Sequence, residues 1–165
     1  MPTLPTLLKL LHILAAFVLV AGMLGRSVTF RLARITPDVR TAVALLNASH
    51  VFERAFVIPG SELVLLFGAL AGWRAGWPLL GFLQGARANW LLVSLVLFLS
   101  LIPFIPLYLI PARKRREQAA REAIAAGQIT PALQAAMNDR GVAAYRAYEF
   151  VVVLVIVVLM VAKPF

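Results

Sequence analysis

The chain has 165 residues, of which 62% are hydrophobic and only 14% charged, and its mean hydropathy is +0.90. That composition excludes a soluble globular domain and leaves room for a single membrane domain. The formal charge of +9 does not point to nucleic acid, because the basic residues cluster between apolar runs, where membrane topology and anionic headgroups account for them. With no cysteine, disulfides, Cys-ligated zinc and Cys-ligated iron–sulfur clusters are excluded, and histidine becomes the main candidate cofactor ligand.

A bilayer core of about 30 Å needs about 20 residues of helix. Four stretches reach that length, at about 4–25, 58–77, 89–111 and 142–162. The first continues as a more polar helical end through Arg26, Arg31 and Arg34 to Pro37. It is too long for a signal peptide and carries Lys9, so it reads as a span. After ITPD, Asp38 is placed to cap a helix that meets Pro59-Gly60, where it must kink or break before residues 61–73 cross the bilayer. Trp73 and Trp77 stand where interfacial anchors belong. The third span opens at Asn89-Trp90, and Pro103 and Pro106 predict a bend in its second half.

Residues 112–141 form a basic, alanine-rich segment expected to be an exposed helix ended by Gly127 and a second helix started by Thr130-Pro131. In the fourth span the strictly apolar part starts only at Phe150, which puts Arg146 and Glu149 at the membrane edge. Together these elements predict an all-α integral membrane four-helix bundle, with kinked helices and a hydrophilic helical segment between spans three and four.

Topology follows from the positions of the basic residues. Arg26, Arg31, Arg34, Arg40 and Arg54 lie between spans one and two, and Arg113 to Arg116, Arg121, Arg140 and Arg146 between spans three and four. Only Lys9, Arg74, Arg87 and Lys163 fall on the other side. The positive-inside rule makes the richer side cytoplasmic and puts both termini outside the bacterial inner membrane.

Two groups of residues are candidates for chemistry. His12 lies about eight residues into span one, hence about 12 Å down at 1.5 Å per residue. An ionisable group at that depth is a functional candidate by default. Met160 in the outer half of span four is at a comparable depth, and His/Met ligation is an established way to hold haem. Ala15 and Ala16, one turn on from His12, leave room for a flat macrocycle. The alternative is structural, with His12 donating to a carbonyl or to Ser94 on a neighbouring helix. The second group, Arg26, His50, Glu53, Arg54, Glu62, Arg146 and Glu149, lies near the cytoplasmic edge. There Glu62 needs a proton or a cationic partner, for which Arg26 or Arg54 would serve, and Arg146 and Glu149 are spaced to pair within one helix. Structural ion pairs account for this group, as does a proton or anionic-headgroup site. No P-loop, dinucleotide glycine motif, HExxH, GxSxG or CxxC occurs.

LKLLHILAAFVLVAGMLGR, the stretch around VIPGSELVLLFGALAGW, NWLLVSLVLF and the terminal LMVAKP resemble a family of small bacterial four-span integral membrane proteins of unknown function. That family is similar in turn to the copper-resistance D membrane proteins and to the haem-binding membrane protoporphyrinogen oxidases, which also begin with an LK-x-LH-type helix. The resemblance implies a four-helix bundle and makes His12 the position matching a haem-ligand histidine. Span three contains no lysine to match the oxidases' second ligand. The expectation is therefore a membrane protein that holds haem or a related tetrapyrrole through His12, with Met160 or nothing as the second ligand, for electron transfer or porphyrin redox chemistry. The competing expectation is a non-enzymatic accessory subunit packed against other membrane subunits.

Overall fold

A computed structural model describes residues 3–87 and 89–163; Pro164 of the terminal motif lies outside them. The described residues are helical and contain no strand. In chain order the helices are α1 (Leu4–Ile35), α2 (Val39–Phe52), α3 (Ile58–Arg74), α4 (Trp90–Leu99), α5 (Ile110–Ala126), α6 (Pro131–Met137) and α7 (Arg140–Ala162). Two π-helical turns, Glu53–Val57 and Ile105–Leu109, and a short 3-10 turn, Gly81–Gln84, complete the chain.

Helix ends follow local chemistry. The Asp38 carboxylate accepts from the Thr41 amide at 2.8 Å and caps α2, Thr130 accepts from the Leu133 amide and caps α6, and Gly127 stops α5 with a φ of 68°. Pro59 neither breaks nor sharply ends its helix. Its missing N–H and its ring, which crowds the carbonyl four residues earlier, are absorbed by the π turn just upstream, so α2 and α3 run as one 36-residue helix, Val39–Arg74. The second π turn stands in the same relation to Pro111.

Among the described residues three helices are long and apolar enough to cross a membrane: Leu4–Ile35, Val39–Arg74 and Pro131–Ala162. Expected span three is not one straight helix. It is the ten-residue α4, an irregular turn around Pro103, and the second π turn, which feeds directly into α5. Most large side chains on the apolar helices face outward, among them Phe17 (69% exposed), Leu107 (79%) and Val161 (80%), as lipid contact requires.

The tightest packing is elsewhere. Phe30, Ala33, Val39, Val43 and Leu46 of α1 and α2 close on Ala119, Ala120 and Ala123 of α5 and on Leu133 and Met137 of α6. The segment expected to be a solvated face therefore buries its alanine stripe against the polar end of α1 and α2. Within the apolar zone the core is small, made of Leu19, Met23 and Val57 with Val64 and Val153 against it. There α1 and α3 approach closely, since a Cβ on Gly60 would come within 2.9 Å of the Leu19 backbone nitrogen.

Candidate functional site

The two ends of the bundle are pinned by different chemistry. At one end Trp77 and Trp90 meet edge to face with ring centroids 5.3 Å apart. The Lys163 ammonium sits 4.5 Å from the Trp77 centroid and that of Lys9 5.8 Å from it. At the other end the buried Arg26 of α1 forms an ion pair with the buried Glu149 of α7. The sequence expectation that Arg146 pairs with Glu149 along their own helix is thereby corrected. The Arg146 guanidinium instead stacks 4.0 Å from the Phe30 ring centroid, which it shares with Arg116 at 5.1 Å. The planar guanidinium gains a cation–π contact there, while Glu149 gains a partner that its own helix cannot bury as deeply.

The remaining members of the expected charge cluster separate. His50 Nε2 accepts a hydrogen bond from Arg113 Nη1 at 2.9 Å. An arginine can only donate, so this nitrogen carries the lone pair. Glu53 stands on the first π turn, half-buried, while Arg54 beside it is exposed. Glu62 is exposed and forms no ion pair among the described residues, so Arg26 and Arg54 are not its partners. Sequence reasoning missed Arg113 and Arg116, which it counted only as topology charges. Their i, i+3 spacing, one turn after Pro111, was the available signal that both lie on one face of α5.

His12 is half-buried on α1, and its Nδ1 donates to the Val64 carbonyl of α3 at 3.0 Å. Ser94 is not involved; its hydroxyl donates to the Trp90 carbonyl one turn back. Because a carbonyl only accepts, Nδ1 carries the proton in the neutral ring and Nε2 keeps its lone pair. Among the described residues Nε2 makes no hydrogen bond. The ring lies against Gly68, where a Cβ would come within 2.9 Å of its Cε1, so the absence of a side chain at Gly68 is what admits the imidazole.

Met160 is half-buried near the end of α7. The Arg26–Glu149 pair fixes its height relative to His12. His12 lies fourteen residues along α1 from Arg26 and Met160 eleven along α7 from Glu149, about 21 Å and about 16 Å toward the tryptophan end. At about 100° per residue, His12 falls within about 40° of the Arg26 face, and Met160 within about 20° of the Glu149 face. The two side chains thus share the helix faces that carry the ion pair. Among the described residues no group of three or more His, Cys, Asp and Glu side chains converges on a metal-sized site.

A sequence-family profile described as "Predicted integral membrane protein (DUF2269)" matches residues 6–164, nearly the whole chain. The chain belongs to this family. No curated protein and no solved structure matches it. For this DUF2269 member, membrane residence is shared with the family, whose description assigns no ligand or activity. The likeness to copper-resistance D proteins and haem-binding oxidases is no part of that match.

Proposed function

We propose that this protein is a four-span inner-membrane protein that would hold haem or a related tetrapyrrole on His12, with Met160 or nothing as the second ligand. The single observation that carries the reading is the Nδ1–Val64 hydrogen bond. It fixes the tautomer and ring orientation and leaves the Nε2 lone pair free to ligate, as outer-shell carbonyls do for ligating histidines. The residues present fit such a group: Gly68 admits the ring, and residue counting from the Arg26–Glu149 pair puts Met160 of α7 at a similar height. Bound iron porphyrin would supply one-electron chemistry, and the chain's part is to orient the imidazole and keep the site among apolar helices. For the membrane orientation, Lys9 and Lys163 meeting at Trp77 supports both termini on one side. The run from Trp90 to Arg113, which ends beside His50, supports a fourth crossing. The positive-inside rule then makes the arginine end cytoplasmic.

The test is a visible-absorption spectrum of the protein purified in detergent from haem-replete cells. A Soret band is expected, abolished by His12→Ala, shifted but retained in Met160→Leu, and unchanged in His50→Ala. A colourless protein that co-purifies with other membrane subunits would sink the reading in favour of an accessory subunit.

A further inference from the structure

Between the two π turns, at the arginine end, lies a cavity of about 160 Å³ whose polar lining is Arg26, Glu53, Arg113, Arg116, Tyr145 and Arg146. Four guanidinium groups from three helices face one carboxylate. Arg26 is matched by Glu149, and Arg113 lies 3.3 Å from Glu117 on the solvent side. Among the described residues neither Arg116 nor Arg146 has a carboxylate within ion-pair distance, so the cavity keeps a positive excess. The Arg26 side chain is only 4% exposed, and its Nε has no hydrogen-bond partner. A buried donor with no acceptor is destabilising and is rarely left so. The shape requirement is an anion with several oxygens at different angles, able to face guanidinium groups arriving from α1, α5 and α7. A phosphate group meets it.

The walls indicate what the phosphate is attached to. Ile58, Ile105 and Leu109 line the same cavity. Ile58 and Ile105 are also 46% and 43% exposed, so the cavity is continuous with the outward apolar surface at the level where span and arginine-rich segment join. We propose that the cavity binds the phosphate of an acidic phospholipid, whose acyl chains lie along Ile58, Ile105 and Leu109. The two π turns are then functional: each re-aims the residues that follow it, Ile58 and Ile110, at the cavity instead of continuing a regular ladder. Phe30 contributes by stacking with Arg116 and Arg146 together. The site lies at the opposite end from His12 and does not depend on what that residue holds.

The experiment uses the full chain in detergent micelles, with native mass spectrometry after addition of phosphatidylglycerol, phosphatidylcholine or inorganic phosphate. One retained phosphatidylglycerol per chain is expected, with no comparable retention of phosphatidylcholine. Arg116→Gln and Arg146→Gln should each weaken retention about tenfold, the loss of one charge-assisted contact. Arg146→Lys, which keeps the charge but not the fork, should lie between wild type and Arg146→Gln. The exposed Arg54→Gln should leave retention unchanged, and circular dichroism reports that each variant is folded. Equal retention of phosphatidylcholine, or a loss in Arg54→Gln as large as in Arg146→Gln, would overturn the proposal in favour of diffuse surface charge. Displacement of the lipid by inorganic phosphate at equal concentration would overturn the lipid as the source.

Discussion

Arg26 and Glu149 are the two most fully buried charged residues among those described, and each is tolerable only because of the other. Two ions taken out of water lose hydration that their mutual attraction only partly restores. Removing one leaves the other uncompensated, whereas removing both leaves an apolar contact of similar size. Arg26→Met is therefore expected to cost about 3–5 kcal/mol, and Arg26→Met combined with Glu149→Leu to recover most of it. Thermal unfolding of the detergent-solubilised variants checks this, and a double variant as unstable as the single one would show that the pair is not held by mutual neutralisation. The pairing was not legible in the sequence. Arg146, three residues from Glu149, had the better local claim, and the actual partner lies 123 residues away on α1. Only packing of α7 beside α1 decides between them. His12 stood differently. Its depth marked it as functional or structural, and a neighbouring carbonyl was among its foreseen partners, but nothing local named Val64 or revealed that Gly68 makes the room.

At the scale of the element, helix starts and stops are written in short-range chemistry and could be read directly. Asp38, Gly127 and Thr130 act as their residue types predict, because a cap depends on two or three neighbouring amides and nothing distant. The Asp38 carboxyl is held below its ordinary range chiefly by the Thr41 hydroxyl and amide. A depressed folded-state value means that the cap's charge-dependent contribution is fully present above the unfolded value, near about 3.9, and disappears as pH falls through the folded value. Asp38→Ala should thus lower the unfolding temperature at neutral pH. The gap to wild type should narrow below about pH 4, while Asp38→Asn, which retains an accepting oxygen, should lack the acid-dependent part. A gap constant from pH 7 to pH 3 would show that the carboxylate charge plays no part. The prolines were less legible than the caps. A proline within a helix permits a kink, a break or a π turn, and the choice of a π turn at both Glu53–Val57 and Ile105–Leu109 depends on the packing around the cavity they share. The alanine stripe of α5 carried a helical signal too, but with small side chains its buried face cannot be told from a solvated one by periodicity alone.

For the molecule as a whole, the uneven distribution of packing has a physical cause. Between helices in lipid there is little hydrophobic driving force, because acyl chains are as apolar as leucine. Large side chains there can face outward, and the helices need only small-residue contacts such as Gly60 against Leu19 and a few side-chain bridges. Where the chain leaves the bilayer, water restores the hydrophobic effect, and there Phe30, Leu46, Ala123, Leu133 and Met137 close into a compact core. That core lies at the arginine end, so it belongs on the cytoplasmic side if the positive-inside rule governs this chain. The chain contains no cysteine, so single introduced thiols report their side of the membrane without background. Arg87→Cys, in the exposed turn at the tryptophan end, is expected to react with a membrane-impermeant maleimide in spheroplasts. Gln128→Cys, exposed just beyond the Gly127 stop of α5, should react only after permeabilisation. The opposite pattern would invert the orientation. Labelling of both sites from outside would put the two turns on one side and require the run from Trp90 to Leu109 to enter and leave the bilayer on the same face.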